Sequence, residues 1–489
     1  MLQKVKQYSI PAIKFLIVCM IVLNFIQGLF LIKNRKFDED EFEHTHVVWC
    51  MKEDNMSIYK DFFEHHGPIY PYLNKIVWSV FEPDNNEDVL FLFRYLNFIL
   101  SILLCILVFK VVNFAVGKSW GWLSVLILSS NTFFQKAAWE IRTDNLLHCF
   151  WLFSIYLLLR DFKRYKHLIL MVVGGLWGLA IFTMIKSILL IFSFVIGMVI
   201  VHKKDLRQFV LSDCLSVILG VFIVALFSLL ITILNGGVKE FFFYQFIVNF
   251  IIQVFSRTPV NYLLKEFLQE NFFFVALLMI SIFSFKQLLN GIKNNSLVKI
   301  YLFSAMIPLC LVLGPSYHHD YLMFIIPFVV MNAMVLKKIS NYQKRKKWFV
   351  IFLCVIFFSN YFIVLKKNYF LILKEENQTQ LRFLEKVQKV NIEKAPILYF
   401  WGRLGGYSFQ KHLNYFWYMD DFSQDLVRFL RGNNIYDSCL DNLKTMRKKT
   451  LVIIEDEEWD SLPPKLKLIL KSNYKKDMQF PLYYYKGLD

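Results

Sequence analysis

Charge is scarce in this sequence. Only 19% of its 489 residues are Asp, Glu, Lys or Arg, against roughly a quarter in soluble globular domains. That shortage argues against the two or three soluble domains that the length alone would allow. Metal-ribbon and redox-pair patterns are missing too. The eight cysteines stand singly, without CxxC or zinc-ligand spacing. Cys105, Cys214, Cys310 and Cys354 lie within apolar runs and read as small packing residues; Cys50 and Cys439 are expected outside them. There is no internal repeat and no low-complexity tract. No small-x-small site follows the first apolar run, Ile13 to Ile32. At about 20 residues it exceeds a signal-peptide core of roughly 7–15, and it is expected to stay as an anchor.

What the sequence has in quantity is apolar surface: 56% hydrophobic residues, 52 of them Phe, and a mean hydropathy of +0.44. This is the composition of a polytopic membrane protein. A spanning helix needs roughly 20 apolar residues, and by that measure there are about eleven spans. They centre near Val22, Ser101, Leu128, Phe153, Val173, Phe194, Val224, Leu278, Met306, Ile326 and Val355. The net charge of +17 collects in short connectors: Arg160–His167, His202–Gln208, Lys286–Lys299 and Lys337–Trp348. That is a positive-inside topology signal and not a nucleic-acid surface. The other connectors, including the acidic Phe37–Asp88 loop, Asn235–Glu270 and GPSYHHD, then share one extracytoplasmic face.

Beyond about residue 366 the composition becomes that of a soluble domain. APILYFWGR, KTLVIIEDEEW and FPLYYYKG read as strands, and DDFSQDLVRFLRG as a helix starting at Asp420 or Asp421 and stopping at Gly432. The expected organisation is a membrane domain over 1–366, whose first outer loop is 33–88, and a small extracytoplasmic α/β domain over 367–489.

Polar clusters at the outer face are the candidate chemistry. FDEDEFEHTH, read as a helix, puts Asp40, Glu43, His44 and Val47 on one side. Phe42 and Trp49 fall on the other, so the segment is expected to lie in the interface with its aromatics in lipid. FFEHHGP adds Glu64, His65 and His66. WEIRTDNLLH places Arg142 and Asp144 where a connector meets a span, a costly position for ionisable groups unless they are paired or line a wet cavity. An Arg142–Asp144 structural pair, or Asp144 as a helix cap, is the simpler alternative. Lys186 in MIKS either serves the same site or snorkels to the interface. GPSYHHDYLMFIIP contributes His318, His319 and Tyr321. Glu43-x-x-His46 has the spacing of a carboxylate-bridged metal site, but no second copy faces it, so no metal is assigned. Gly402–Gly406, GRLGG, lacks the Lys-Ser/Thr of a phosphate loop and reads as a turn.

DEFEHTH, YKDFFEHHGPIYPYL, EIRTDNLL, MIKS and YHHDYLMFIIP, in that order, resemble the GT-C glycosyltransferases. The resemblance is to the bacterial protein O-mannosyltransferase and aminoarabinose transferase-like family. It covers the membrane part through about Pro327 and the C-terminal domain only loosely. It implies a GT-C-like membrane domain and transfer of a sugar from a polyprenyl-phosphate-linked donor to a hydroxyl of a glycolipid, glycan or protein. In this resemblance Asp40, Asp144 and Glu64 are the catalytic acids. Lys186 and Tyr321 match the family's donor-phosphate residues; Arg142 and His65 are further candidates for the phosphate, and Glu43, His66, His318 and His319 are candidates for the substrate. Where aminoarabinose transferases tend to have Lys after the Glu, this chain has His65, whose charge would depend on pH. The rival class, a lipid-linked sugar flippase, is expected to show repeated halves and polar sites at the midplane; neither is present.

Overall fold

The computed structural model describes residues 2–160, 163–201, 211–249, 260–284, 296–304, 321–341, 347–374, 376–391, 397–400, 405, 408–411, 451–454, 459, 464–480 and 482–485. By internal packing the chain divides into two compact units. One comprises Met1–Lys33, Arg94–Phe227 and Arg257–Lys374; the other comprises Asn34–Phe93, Ser228–Ser256 and Glu375–Asp489.

The first unit is helical among its described residues. It contains α1 (Leu2–Asn34, to Lys33), most of α4 (Asn86–Ala115), α5 (Lys118–Ser129), α6 (Thr132–Trp139) and α7 (Asp144–Leu159). α8 (Lys166–Thr183), α9 (Ser187–Val201) and most of α10 (Leu211–Leu234) follow. After them come α12 (Val260–Glu270), α13 (Phe272–Phe283), α14 (Ser296–Ser304), α15 (Leu322–Asn341) and α16 (Lys347–Lys374). Helices stand at each expected span centre except Met306, which lies outside the described residues. Among the described residues five helices are long and apolar enough to cross a membrane, or six if the bent pair α12–α13 is one span. α10 shows why such helices need lipid: Leu215, Ile218, Leu219, Phe222, Ile223 and Phe227 all remain exposed. So large an apolar face is not left to water.

Without a hydrophobic drive between helices in lipid, close backbone approach does the packing. Gly174 on α8 and Gly220 on α10 supply it. A Cβ on Gly174 would lie 2.0 Å from Val217 O, and one on Gly220 would lie 1.9 Å from Met171 O. α7 lies along α8 through Trp151 and Trp177, whose centroids are 6.1 Å apart, with Trp177 Nε1 donating to Ser154 Oγ at 2.9 Å. The 101° bend between α12 and α13 frees backbone groups that apolar surroundings cannot satisfy. Asn360 satisfies them: its Oδ1 accepts from Phe273 N at 3.0 Å and its Nδ2 donates to Glu270 O at 3.1 Å.

The second unit joins three remote stretches. α2 (Glu39–Lys52) begins with a capping box, Asp38 accepting from the helix start while Glu41 accepts from Asp38 N. α3 (Ile69–Phe81), the first residues of α4, the end of α10, α11 (Val238–Phe242) and a π-helical stretch, Phe243–Val248, complete its early part. From the C-terminal stretch come α17 (Gln378–Val390), α18 (Pro464–Asn473) and a sheet. Its strands are β1 (Ile397–Phe400), β2 (Leu451–Ile454), β3 (Tyr474–Lys476) and β4 (Leu482–Tyr485), ordered β1-β2-β4-β3. β1 and β2 are parallel with Ile397 opposite Leu451; the other pairings are antiparallel. The three strands read from the sequence form here; β3 was not foreseen. The helix expected at DDFSQDLVRFLRG lies outside the described residues.

Two expectations change. The sequence groups residues 33–88 with the membrane part, yet they share their unit with the C-terminal stretch. Gln380 explains it: its Oε1 accepts from Phe37 N at 2.7 Å and its Nε2 donates to Phe37 O at 3.0 Å. Nor does α2 lay its aromatics in lipid. Phe42 is fully buried, its ring tilted against that of Phe37 with centroids 5.4 Å apart and packed against Gly405, where a Cβ would fall 2.3 Å from the Phe42 ring. Gly405 has φ +68° and opens a turn that Ser408 closes, so glycine is required twice over.

Candidate active site

Within the first unit the chemistry centres on the start of α7. Asp144 is its first residue, 2% exposed, and pairs with Lys186 Nζ at 2.5 Å. Lys186 sits in the break between α8 and α9 with its side chain 10% exposed. It does not snorkel. A buried pair of this kind is a poor source of stability, because desolvation offsets the Coulomb gain, and so it points to use. Arg142 reaches Glu140, Nε to Oε2 at 2.6 Å, with both side chains buried. The sequence reading offered an Arg142–Asp144 pair only as the simpler alternative and passed over Glu140, which is fully buried. The signal was there: an acid two residues before an arginine at a span mouth. Thr143 Oγ1 lies 3.3 Å from Met184 Sδ, tying the EIRTD and MIKS segments together. Tyr321 is 1% exposed in an aromatic cluster with Phe133 at 4.8 Å and Phe267 at 5.0 Å. His318 and His319 lie outside the described residues.

Within the second unit, α2 and the FFEHHGP loop bring acids and imidazoles together. Glu64 is fully buried; its Oε1 accepts from His66 N at 2.6 Å and His66 Nδ1 at 2.8 Å. Burial alone would raise this carboxyl, but the His66 imidazole overrides it and holds it well below the usual carboxylate range. His65 lies 3.9 Å from Glu43 Oε1 and 4.0 Å, ring to ring, from His66. Burial, helped by His66, pushes its imidazole down to about 3. His65 is therefore neutral at physiological pH and can meet a phosphate as a hydrogen-bond donor, not as a cation. Tyr59 Oη donates to His66 O at 2.7 Å and Asn249 Nδ2 to His65 O at 2.5 Å, so the loop backbone is pinned on both sides. Asp40 is half-buried in the first turn of α2.

His46, half of the Glu43-x-x-His46 spacing, is engaged elsewhere. Its Nδ1 donates to Ser408 O at 3.1 Å, and burial pushes it down to about 4. The residues that do gather are His44, Glu64 and His66, with one donor atom each within 4.8 Å of one another. Sequence reasoning placed His44 on the right helix face but gave it no role.

These features can be set beside known proteins. Residues 65–232 match the family model for dolichyl-phosphate-mannose-protein mannosyltransferase, a stretch holding His65, His66, Arg142, Asp144 and Lys186. No curated protein matches the sequence. The fold matches ArnT from Cupriavidus metallidurans bound to undecaprenyl phosphate with a TM-score of 0.64 at 10% identity, over 95% of this chain and 97% of that one. This is the GT-C glycosyltransferase fold. The apo form of ArnT gives a TM-score of 0.66 at 11% identity, over 96% and 98% of the two chains. The archaeal oligosaccharyltransferase AglB from Archaeoglobus fulgidus, in complex with an inhibitory peptide and a dolichol-phosphate, gives 0.55 at 12% identity. That match covers 97% of this chain and 75% of AglB. The GT-C resemblance of the motifs is thus shared by the whole fold, with Asp40, Glu64 and Tyr321 lying outside the family-model segment.

Proposed function

We propose that this chain is a membrane glycosyltransferase that moves a sugar from a polyprenyl-phosphate-linked donor to an acceptor hydroxyl on the extracytoplasmic face, inverting C1 without a metal. The observation that carries the reading is the buried Asp144–Lys186 pair in a GT-C fold. Breaking the C1–O bond leaves a phosphate monoester that gains negative charge. Cations aimed at its oxygens lower the barrier, a task metals perform elsewhere. Lys186 and Arg142 are proposed to supply that charge, with His65 and Tyr321 as hydrogen-bond donors. Asp144 holds Lys186 extended and charged until donor binds.

The acceptor oxygen attacks C1 from the face opposite the phosphate, C1–O breaks, the lipid phosphate leaves, and the acceptor proton passes to Asp40 as general base. Glu64 orients the acceptor, with Glu43 and His66 lining it. The donor's tail would keep it in the bilayer, so a site of this kind belongs at the membrane surface. ArnT was solved with undecaprenyl phosphate and AglB with a dolichol-phosphate, and donors of that lipid class fit this reading.

The test is transfer from a radiolabelled polyprenyl-phosphate sugar by purified protein. Asp40→Asn is expected to lower the rate at least about 100-fold, the low end of general acid–base contributions; Asp144→Asn is expected to abolish transfer too, in a chain that still folds but with a lowered thermal midpoint because the Lys186 pair is broken. Chelator leaves the wild-type rate unchanged. Near-wild-type transfer by both variants would refute the assignment.

A further inference from the structure

We infer that the Ser187 hydroxyl is a ligand for the donor phosphate, donating to one of its oxygens beside Lys186. The assignment rests on the polyprenyl-phosphate reading of the Asp144–Lys186 site, and it adds a residue to which sequence reasoning assigned no role.

Ser187 is the first residue of α9 and is 1% exposed. Its Oγ has no hydrogen-bond partner among the described residues. Buried hydroxyls are almost always bonded, and the other two of α8 and α9 obey the rule. Thr183 Oγ1 donates to Leu179 O at 2.7 Å and Ser193 Oγ donates to Leu189 O, each reaching back to the preceding turn of its own helix. Ser187 has no such turn behind it. Four residues back lies Thr183, the last residue of α8, on the far side of the break. The interruption of the helix therefore leaves a buried donor uncommitted next to the site lysine.

The setting of that donor selects an anion. Lys186, the preceding residue, holds its Nζ 2.5 Å from Asp144. The start of α9, a helix of 15 residues, carries the positive end of a helix dipole. The backbone N–H groups of Ser187, Ile188 and Leu189 are spent on the carbonyls of Met184, Ile185 and Lys186 at 3.0–3.1 Å, so the donation falls to the side chain. A hydroxyl has one proton to give, and beside a cation and a helix start the acceptor that gains most is an oxyanion. A sugar hydroxyl could take the same proton but draws nothing from the positive surroundings. Those three backbone bonds are short i→i+3 turns with poorer geometry than an α-helix. The Met184–Ser187 segment can therefore shift, which is the movement a buried hydroxyl needs to meet a phosphate held by Lys186.

The test is equilibrium binding of radiolabelled undecaprenyl phosphate to the full chain in detergent, measured beside undecaprenol, the same tail without phosphate. Inorganic phosphate is the competitor. The wild type is expected to prefer the phosphate to the alcohol, and inorganic phosphate to compete weakly. Ser187→Ala weakens undecaprenyl phosphate binding about tenfold, the loss of one hydrogen bond to a charged group, and leaves undecaprenol binding unchanged. Its thermal midpoint without lipid is no lower than that of the wild type, because the hydroxyl removed has no partner. Ser193→Ala, which removes a bonded hydroxyl from the same helix, leaves the binding of both lipids unchanged. Ser187→Gly is a second variant that also lacks the hydroxyl, so a folding defect in one leaves the test intact. Wild-type affinity for undecaprenyl phosphate in a folded Ser187 variant, or an equal loss for undecaprenol, overturns the assignment. Inorganic phosphate that competes as well as the lipid overturns a lipid source. A wild type that does not distinguish phosphate from alcohol defeats the donor reading itself, whereas normal discrimination with an unaffected Ser187→Ala defeats this residue alone.

Discussion

Lys186 and Asp144 set the problem at the scale of single residues. Each is buried to nine-tenths or more and each neutralises the other at 2.5 Å. Removing one charge strands its partner in a low-dielectric site, at a cost of about 3–5 kcal/mol. Lys186→Met is therefore expected to lower the thermal midpoint sharply. Lys186→Met combined with Asp144→Leu should restore much of the stability, since an apolar pair of similar volume is often neutral, yet remain without transfer. Thermal unfolding and the transfer assay on the same preparations check both halves. If the double variant is as unstable as the single, the pair is structural. Much of this was legible as residue type: Asp144, Lys186 and Glu64 stand out because ionisable groups next to long apolar runs need a reason. The partners were not legible. Nothing local tells Arg142 to take Glu140, or tells His46 to turn away to Ser408, because those choices depend on backbone positions far along the chain.

Elements depend on two local devices that differ in visibility. The Asp38–Glu41 capping box at the start of α2 is written in the sequence as D-x-x-E before a helical run. Asp38→Ala is expected to destabilise the second unit by about 1 kcal/mol, seen as faster amide exchange over Glu39–Thr45; unchanged exchange would show that packing alone holds the helix start. The contact between α8 and α10 is less visible, since Gly174, Gly175, Gly178 and Gly220 look alike in sequence. The geometry separates them. Gly220→Val puts a side chain into the Met171 carbonyl and should split the two helices. Gly175→Ala meets nothing nearer than 4.0 Å and should be tolerated. Comparable melting of the two variants would contradict the packing described. The strands were readable because Val, Ile, Leu and Tyr repeat in short runs; β3, three residues of which two are exposed lysines, carries no such pattern. Burial of α2 was misread because its partners Gly405 and Ser408 arrive more than 300 residues later.

The chain as a whole pairs a helical unit of membrane-crossing character with a unit built from the first loop, the end of α10 and the C-terminal stretch. Composition alone established the first. Assembly of the second from three remote stretches has no signature in any one of them, which explains why the sequence boundary at 366 divides what the structure groups. The GT-C likeness, over 95% of the chain at 10% identity, shows how much of such a fold survives when few identical residues remain. The account's central claim is that Asp40 and Asp144, far apart in the chain, act on the same reaction. Residues that act as a unit are non-additive when removed together. The deciding measurement is single-turnover transfer by Asp40→Asn, Asp144→Asn and the double variant. The account expects each single variant to lose nearly all activity and the double to be no worse than the poorer single. A single variant near wild type, or losses that multiply in the double, would contradict it.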